Sequence, residues 1–190
     1  MSAVLKTELS PQHVQPYALL TAAAVCQTLE DLFPDTTPKI KWPNDIHVGG
    51  KKLCGILTEL SLDIDRVKYI IVGMGTNANI GLDAFDEELR PMVTTLHEEG
   101  QHANLWELAV GINDRLVALS KQYEEKASFA FLMDYYQGHL AWMGEDVRIL
   151  GGKQEKHGKI KGIDATGALL LEHDGIIEPI ISGEISVRRA

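Results

Sequence analysis

The residues of this chain best suited to chemistry lie close together. The sequence reads Lys39-Ile40-Lys41-Trp42-Pro43-Asn44-Asp45-Ile46, and shortly afterwards Lys51-Lys52-Leu53-Cys54-Gly55-Ile56-Leu57-Thr58-Glu59-Leu60. A lysine ammonium is a compact charge that can meet an anion. An aspartate can orient an amine, and an asparagine amide can shape a turn or touch a ligand. Ile40 and Trp42 alternate with Lys39 and Lys41, the period of a half-buried strand. Pro43 lacks a ladder donor, and Asn-Asp favours a turn. Gly49-Gly50 reads as a hairpin turn. A tight hairpin therefore gathers Asn44, Asp45 and the Lys51 and Lys52 pair, with Gly55 on the strand that follows. A purely structural reading is also open: Trp42 as core, Asn44 and Asp45 as turn formers, the lysine pair as solvated edge charges.

The elements that would position these residues can be read in order. Residues 1–9 alternate weakly and read as a strand. A helix is expected over residues 15–32, with Pro16 in its first turn. Its small residues suit close packing beneath a sheet, and Cys26 reads as a small buried hydrophobe. A strand is expected over residues 56–62 and a turn over 63–66. The next strand, residues 67–75, is nearly continuous in apolar residues, as a strand buried on both faces should be. It ends in Gly73-Met74-Gly75-Thr76-Asn77, which suits either a bulge or the close approach of a ligand.

Further on, a helical turn is expected over residues 84–88 and a short helix from 93, closed by Gly100. Asn104 reads as an N-cap. Leu105, Leu108, Ala109, Ile112, Leu116, Leu119 and Tyr123 recur at helical spacing. Another helix is expected over 128–139, its aromatics in core or interface. Beyond Gly144 come short runs separated by glycines: 146–150, 154–164, 168–172, 176–181 and 185–188. That spacing suggests a small barrel, with turns at Asp164-Ala165-Thr166-Gly167 and His173-Asp174-Gly175. The expected division is residues 1–143 and 144–190.

With 190 residues, 45% of them apolar, one medium domain plus a small appendage can bury a sizeable core. The net charge of −9 carries no electrostatic footprint for nucleic acid. No apolar run approaches the ~20 residues that span a bilayer, and no signal-peptide pattern opens the chain. Cys26 and Cys54 lack metal spacing, which points to a reduced, cytoplasmic setting.

Lys-Trp-Pro-Asn-Asp followed by Lys-Leu-Cys-Gly-Ile-Leu resembles the signature of the biotin protein ligases. Gly73-Met74-Gly75-Thr76-Asn77 resembles that family's Gly-x-Gly-x-Asn strand end. Gly158-Lys159-Ile160-Lys161-Gly162-Ile163-Asp164, Gly167-Ala168-Leu169-Leu170-Leu171 and Ser182-Gly183-Glu184-Ile185-Ser186 look like its C-terminal SH3-like barrel. The resemblance implies an α+β fold, a mixed β-sheet with packed helices in the first part and the barrel after it. It implies ATP-dependent activation of biotin to biotinyl-5′-adenylate, then transfer to a lysine of a biotin carboxyl carrier domain. Lys52 becomes the essential cation, facing a developing anionic charge, and Asp45 orients an amine or Lys52 itself. Asn44 shapes the turn, and Trp42 and Asn44 belong to the biotin and adenylate site. Gly55 and Leu57 face the biotin ring, Gly73 leaves it room, and Asn77 lies near the adenylate. Arg188 reaches the nucleotide. Magnesium accompanies ATP, with no carboxylate cluster to name as its ligands. The related lipoate ligases lack the Lys-Trp-Pro-Asn-Asp run.

One part of the family pattern has no match. The glycine- and arginine-rich loop that wraps biotin and phosphate finds no counterpart, since Arg66, Arg90, Arg115, Arg148, Arg188 and Arg189 are not clustered with glycines. The chain therefore reads as the C-terminal part of a ligase, without the DNA-binding domain some members carry. It is expected to fold but to form little adenylate alone, or to serve as a non-catalytic ligand- or partner-binding module. An exposed sheet edge invites self-association, a homodimer being its simplest form.

Overall fold

The computed structural model describes residues 1–63, 66–151, 155–181 and 186–189. Ten strands and three α-helices follow in order among them: β1 (Ser2–Leu5), α1 (Pro16–Leu32), β2 (Lys39–Lys41), β3 (Asp45–Val48), β4 (Lys51–Asp63), β5 (Arg66–Thr76), α2 (Leu105–Lys126), α3 (Met133–His139), β6 (Asp146–Leu150), β7 (Lys156–Ile163), β8 (Leu169–His173), β9 (Ile176–Ile180) and β10 (Ser186–Arg189). The fold class is α+β, with two five-stranded sheets ordered β1-β5-β4-β3-β2 and β10-β6-β7-β8-β9.

Every ladder in both sheets is antiparallel. The expected mixed sheet is thus corrected: parallel pairing is limited to the single bridges Ile40–Leu140 and Lys52–Val93. Short turns favour this outcome, since antiparallel neighbours need only a hairpin whereas parallel ones need a crossover. Gly49 (φ 58°) and Gly50 (φ 80°) make the β3–β4 turn, a conformation that carries the right-handed twist of the flanking strands. In the second sheet the last strand pairs with the first, the order of an SH3-like barrel.

Helix α1 lies between the first sheet and α2. It is buried nearly all round, including Leu20, Ala22, Ala23, Ala24 and Cys26, which explains its weak amphipathicity. Helix α2 has one wet face and one buried row, Leu108, Ile112, Leu116, Leu119 and Tyr123. Asn104 caps it by accepting from the amides of Trp106 and Glu107. Tyr17 of α1 meets Tyr123 edge-to-face, and its hydroxyl donates to Glu124. Among the described residues no helix is long and apolar enough to cross a membrane.

Several expectations change. The first strand is shorter, because β1 pairs with β5 only as far as Leu5–Ile70. Strand β5 is buried on one face only: Ile70, Val72 and Met74 point into the core, while Gly73 and Gly75 lie on the open side. Residues 93–96 form no helix, since Val93 bridges to Lys52 instead. The turn expected at 84–88 is a 3₁₀ turn at Leu82–Ala84. The helix expected at 128–139 is a 3₁₀ turn, Phe129–Leu132, followed by α3. The turn expected at 63–66, and the stretches at Gln154 and at Ser182-Gly183-Glu184-Ile185, fall partly or wholly outside the described residues.

Candidate active site

Strand β4 does not keep one register along its length. Ile46 pairs with Cys54 but His47 pairs with Lys52, so Leu53 is an extra residue, a β-bulge. Its effect follows from the two-residue period of a strand. Lys52 and Gly55 are an odd number of residues apart and would face opposite sides of a regular strand. The bulge turns both Leu53 and Cys54 into the core and brings Lys52 onto the open face, above Gly55. A Cβ on Gly55 would meet Lys52 Cε and Nζ at 3.1 Å. The lysine stem therefore lies across bare backbone.

Asp45 stands directly across from Gly55. Its two carboxylate oxygens meet two lysines, Lys52 Nζ at 2.6 Å and Lys41 Nζ at 3.4 Å. The lysines differ sharply in exposure, 42% for the Lys52 side chain and 9% for that of Lys41. Lys41 is buried although it is a lysine on a short strand of the first sheet. Its ammonium sits 5.6 Å from the ring centre of Trp142, which comes from the connection to the second sheet. Burial pulls the Lys41 pKa below the ordinary lysine value, Asp45 pushes it back up, and Arg188 depresses it again.

A cavity of about 510 Å³ opens over this triad, lined by Asn44, Asp45, Lys52, Gly55, Leu57, Gly73 and Gly75, with Met1 and Ser2 at its β1 side. That volume is in the range of small-ligand sites. Its floor is largely main chain, because Gly55 pairs with Gly75 and Leu57 with Gly73. Leu57 is 63% exposed and supplies the apolar wall. Asn44 supports the rim: its amide donates to the Ile56 carbonyl at 2.8 Å, and its own carbonyl accepts from the Ile56 amide.

Six of the residues singled out from sequence thus meet in one cavity: Asn44, Asp45, Lys52, Gly55, Leu57 and Gly73. Three lie outside its lining. Trp42 is buried at 2%, and its indole N–H donates to the Gly167 carbonyl in the β7–β8 turn of the second sheet. The Trp42–Pro43 peptide is cis. Asn77 spends its amide on the carbonyls of Lys52 and Thr94. Arg188 is exposed on β10 and bears on the site through its influence on Lys41. Gly75, read from sequence as part of the Gly-x-Gly-x-Asn strand end, joins the lining beside Gly73. Lys41 and Trp142 were missed. The burial of Lys41 was not legible, because the ring that covers it is about a hundred positions away.

His47 lies in the same seam. Its Nδ1 is 3.2 Å from the Gly50 carbonyl, its Nε2 is buried without a partner, and its ring meets Trp142 edge-on. The Nδ1–H tautomer satisfies the carbonyl. Burial, reinforced by Lys41, lowers the imidazole pKa.

Comparison with known proteins bears on the family and the fold. Residues 1–77 match the Biotin/lipoate A/B protein ligase family, and residues 143–188 match the Biotin protein ligase C terminal domain. The chain is 33% identical over 189 residues to the bifunctional ligase/repressor BirA of Bacillus spizizenii, covering 98% of this chain and 57% of that protein. It is 30% identical over 191 residues to the Escherichia coli protein of the same name, covering 100% of this chain and 58% of that one. It thus spans little more than half of these relatives. Among solved structures, the biotin protein ligase of Aquifex aeolicus in its apo form superposes with a TM-score of 0.86 at 30% identity, over 100% of this chain and 81% of that one. The same enzyme in complex with biotin and ATP gives 0.84, over 100% and 79%. With two family models on the two sheets and a fold match along its whole length, this chain belongs to the biotin protein ligase family.

Proposed function

We propose that this chain carries the cation-bearing part of a biotin-activating site. In the proposed reaction the biotin carboxylate attacks the α-phosphorus of ATP. Biotinyl-5′-adenylate forms and pyrophosphate leaves. The amine of a carrier-domain lysine then attacks the biotinyl carbonyl, and AMP departs as the amide forms. The observation that carries this reading is Lys52, held 2.6 Å from Asp45 over a glycine floor in an open cavity. Two anions must meet in the first step, and a fixed ammonium neutralises the charge that develops between them.

Each remaining residue has a part. Asp45 holds Lys52 in place and is set to orient the incoming amine. Leu57 packs against the biotin ring, and Gly55 and Gly73 leave it room. Arg188 approaches the nucleotide from the barrel, and residues 1–143 and 144–190 act as separate units across this seam. Magnesium travels with the ATP phosphates, and no group of three His, Cys, Asp or Glu among the described residues is gathered to hold it. Two buried free cysteines suit a reducing cytoplasm.

Biotin-dependent pyrophosphate release, measured with the family's glycine- and arginine-rich loop supplied in cis or in trans, tests the proposal. Lys52→Gln should lower that rate by ~10²-fold or more, as loss of a transition-state charge does, while Lys51→Gln does far less. Equal effects of the two would return Lys52 to a solvated-edge role. Lipoate in place of biotin should give no release. Biotin binding without any release would leave a binding module in place of an enzyme.

A further inference from the structure

The bulge that aims Lys52 at the cavity is itself held, and we infer that Asn77 is the positioning residue that holds it. The inference rests on the proposed role of Lys52. At Cys54 the partner of β4 is still Thr76 of β5. One step further, the neighbour of β4 changes. The Asn77 amide donates to the Leu53 carbonyl at 2.9 Å, and the Asn77 carbonyl accepts from Leu96. Beyond that point residues 92–94 take over: the Lys52 amide donates to Met92 O and the Thr94 amide donates to Lys52 O, both at 2.9 Å. Asn77 spans the changeover. Its side-chain N–H₂ reaches Thr94 O at 3.0 Å and Lys52 O at 3.4 Å, one carbonyl on each side of the break.

The two carbonyls depend on that donor unequally: Lys52 O also accepts the Thr94 amide at 2.9 Å, whereas Thr94 O is served by the Asn77 side chain. A bulge leaves main-chain groups out of the ladder, and a buried carbonyl without a partner favours any rearrangement that pairs it. The available rearrangement is the regular register. It would return Lys52 to the face of Cys54 and Ile56, away from Asp45. The amide of Asn77 ties the bulged strand to the substitute strand and so opposes that slip. It acts on the charge through the Lys52 backbone and is not itself among the residues that line the cavity.

Two variants test this in the full chain, with the glycine- and arginine-rich loop supplied for the turnover assays. Asn77→Asp keeps the shape but replaces the donor with an acceptor, and Asn77→Ala removes both. Either should slow pyrophosphate release by about 10-fold in kcat. The same change made on top of Lys52→Gln should cost less than about twofold, because a misplaced residue that is already neutral has nothing left to lose. A merely structural loss would cost the same factor in both backgrounds, and that result overturns the inference. A second readout does not depend on turnover. Amide hydrogen exchange at Thr94 should quicken by about 10-fold or more in either variant, with Leu57 and Glu59 in the middle of β4 unchanged. Unchanged exchange at Thr94 would reject the clamp even if the chain proved inactive. Faster exchange without wild-type turnover would keep the clamp and reject the proposed activity.

Discussion

His47 shows how one buried atom sets a pH limit. Its Nδ1–H serves the Gly50 carbonyl, and Nε2 has no partner to receive a second proton. The folded chain therefore binds that proton less readily than the unfolded chain, and the folded pKa lies below 6.5. As pH falls through that window the unfolded state takes up protons first, so stability declines on the acid side and is fully present above it. His47→Gln keeps a donor for Gly50 and cannot titrate. Thermal unfolding between about pH 7.5 and pH 5 should show a shallower acid decline in the variant than in the parent. Equal slopes would assign the decline to other groups.

The bulged hairpin is the element on which the site depends. Gly55→Ala places a methyl against the far end of the Lys52 side chain. That end is flexible, so the strand should survive, while the ammonium loses its seat on Asp45. The expected outcome is a melting temperature near that of the parent and pyrophosphate release lower by about 10- to 100-fold. Unchanged turnover would mean that the lysine works from another position. This element also marks the limit of sequence reading. Its two strands, its turn glycines and the burial of Ile40 and Trp42 follow from alternation and turn chemistry. The bulge does not, because an extra residue is a property of two paired strands and cannot be seen in one. A three-residue gap between Lys52 and Gly55 hints at it only once both are required on one face. Strand β5 differs for a related reason: Tyr69 and Ile71 look like a second buried face, but both are only partly buried, whereas Ile70, Val72 and Met74 on the other face are buried.

At the scale of the molecule, two sheets are joined close to the site. The Trp42 indole donates to Gly167, the Phe129 amide donates to Ala165, and the Ala141 amide donates to Ile40. Each such bond contributes roughly 0.5–1.5 kcal/mol, and leaving one partner buried alone costs about 1–3 kcal/mol. The barrel thereby brings Arg188 toward the hairpin. With the glycine- and arginine-rich loop supplied, Arg188→Ala should raise the apparent KM for ATP and leave biotin affinity nearly unchanged. A defect in biotin alone would place the barrel arginine elsewhere. The same seam has an optical consequence. Trp42 is buried, Trp106 is 77% exposed, and Trp142 alone has two cations over its ring, Lys41 at 5.6 Å and Arg189 at 5.7 Å. Indole emission shifts in colour when a nearby charge is removed, so this ring is a built-in fluorophore for the junction. Arg189→Ala also frees Glu145, its ion-pair partner at 2.8 Å. It should displace the emission maximum while leaving circular dichroism unchanged, and the displacement should vanish when Trp142 is first replaced by Phe.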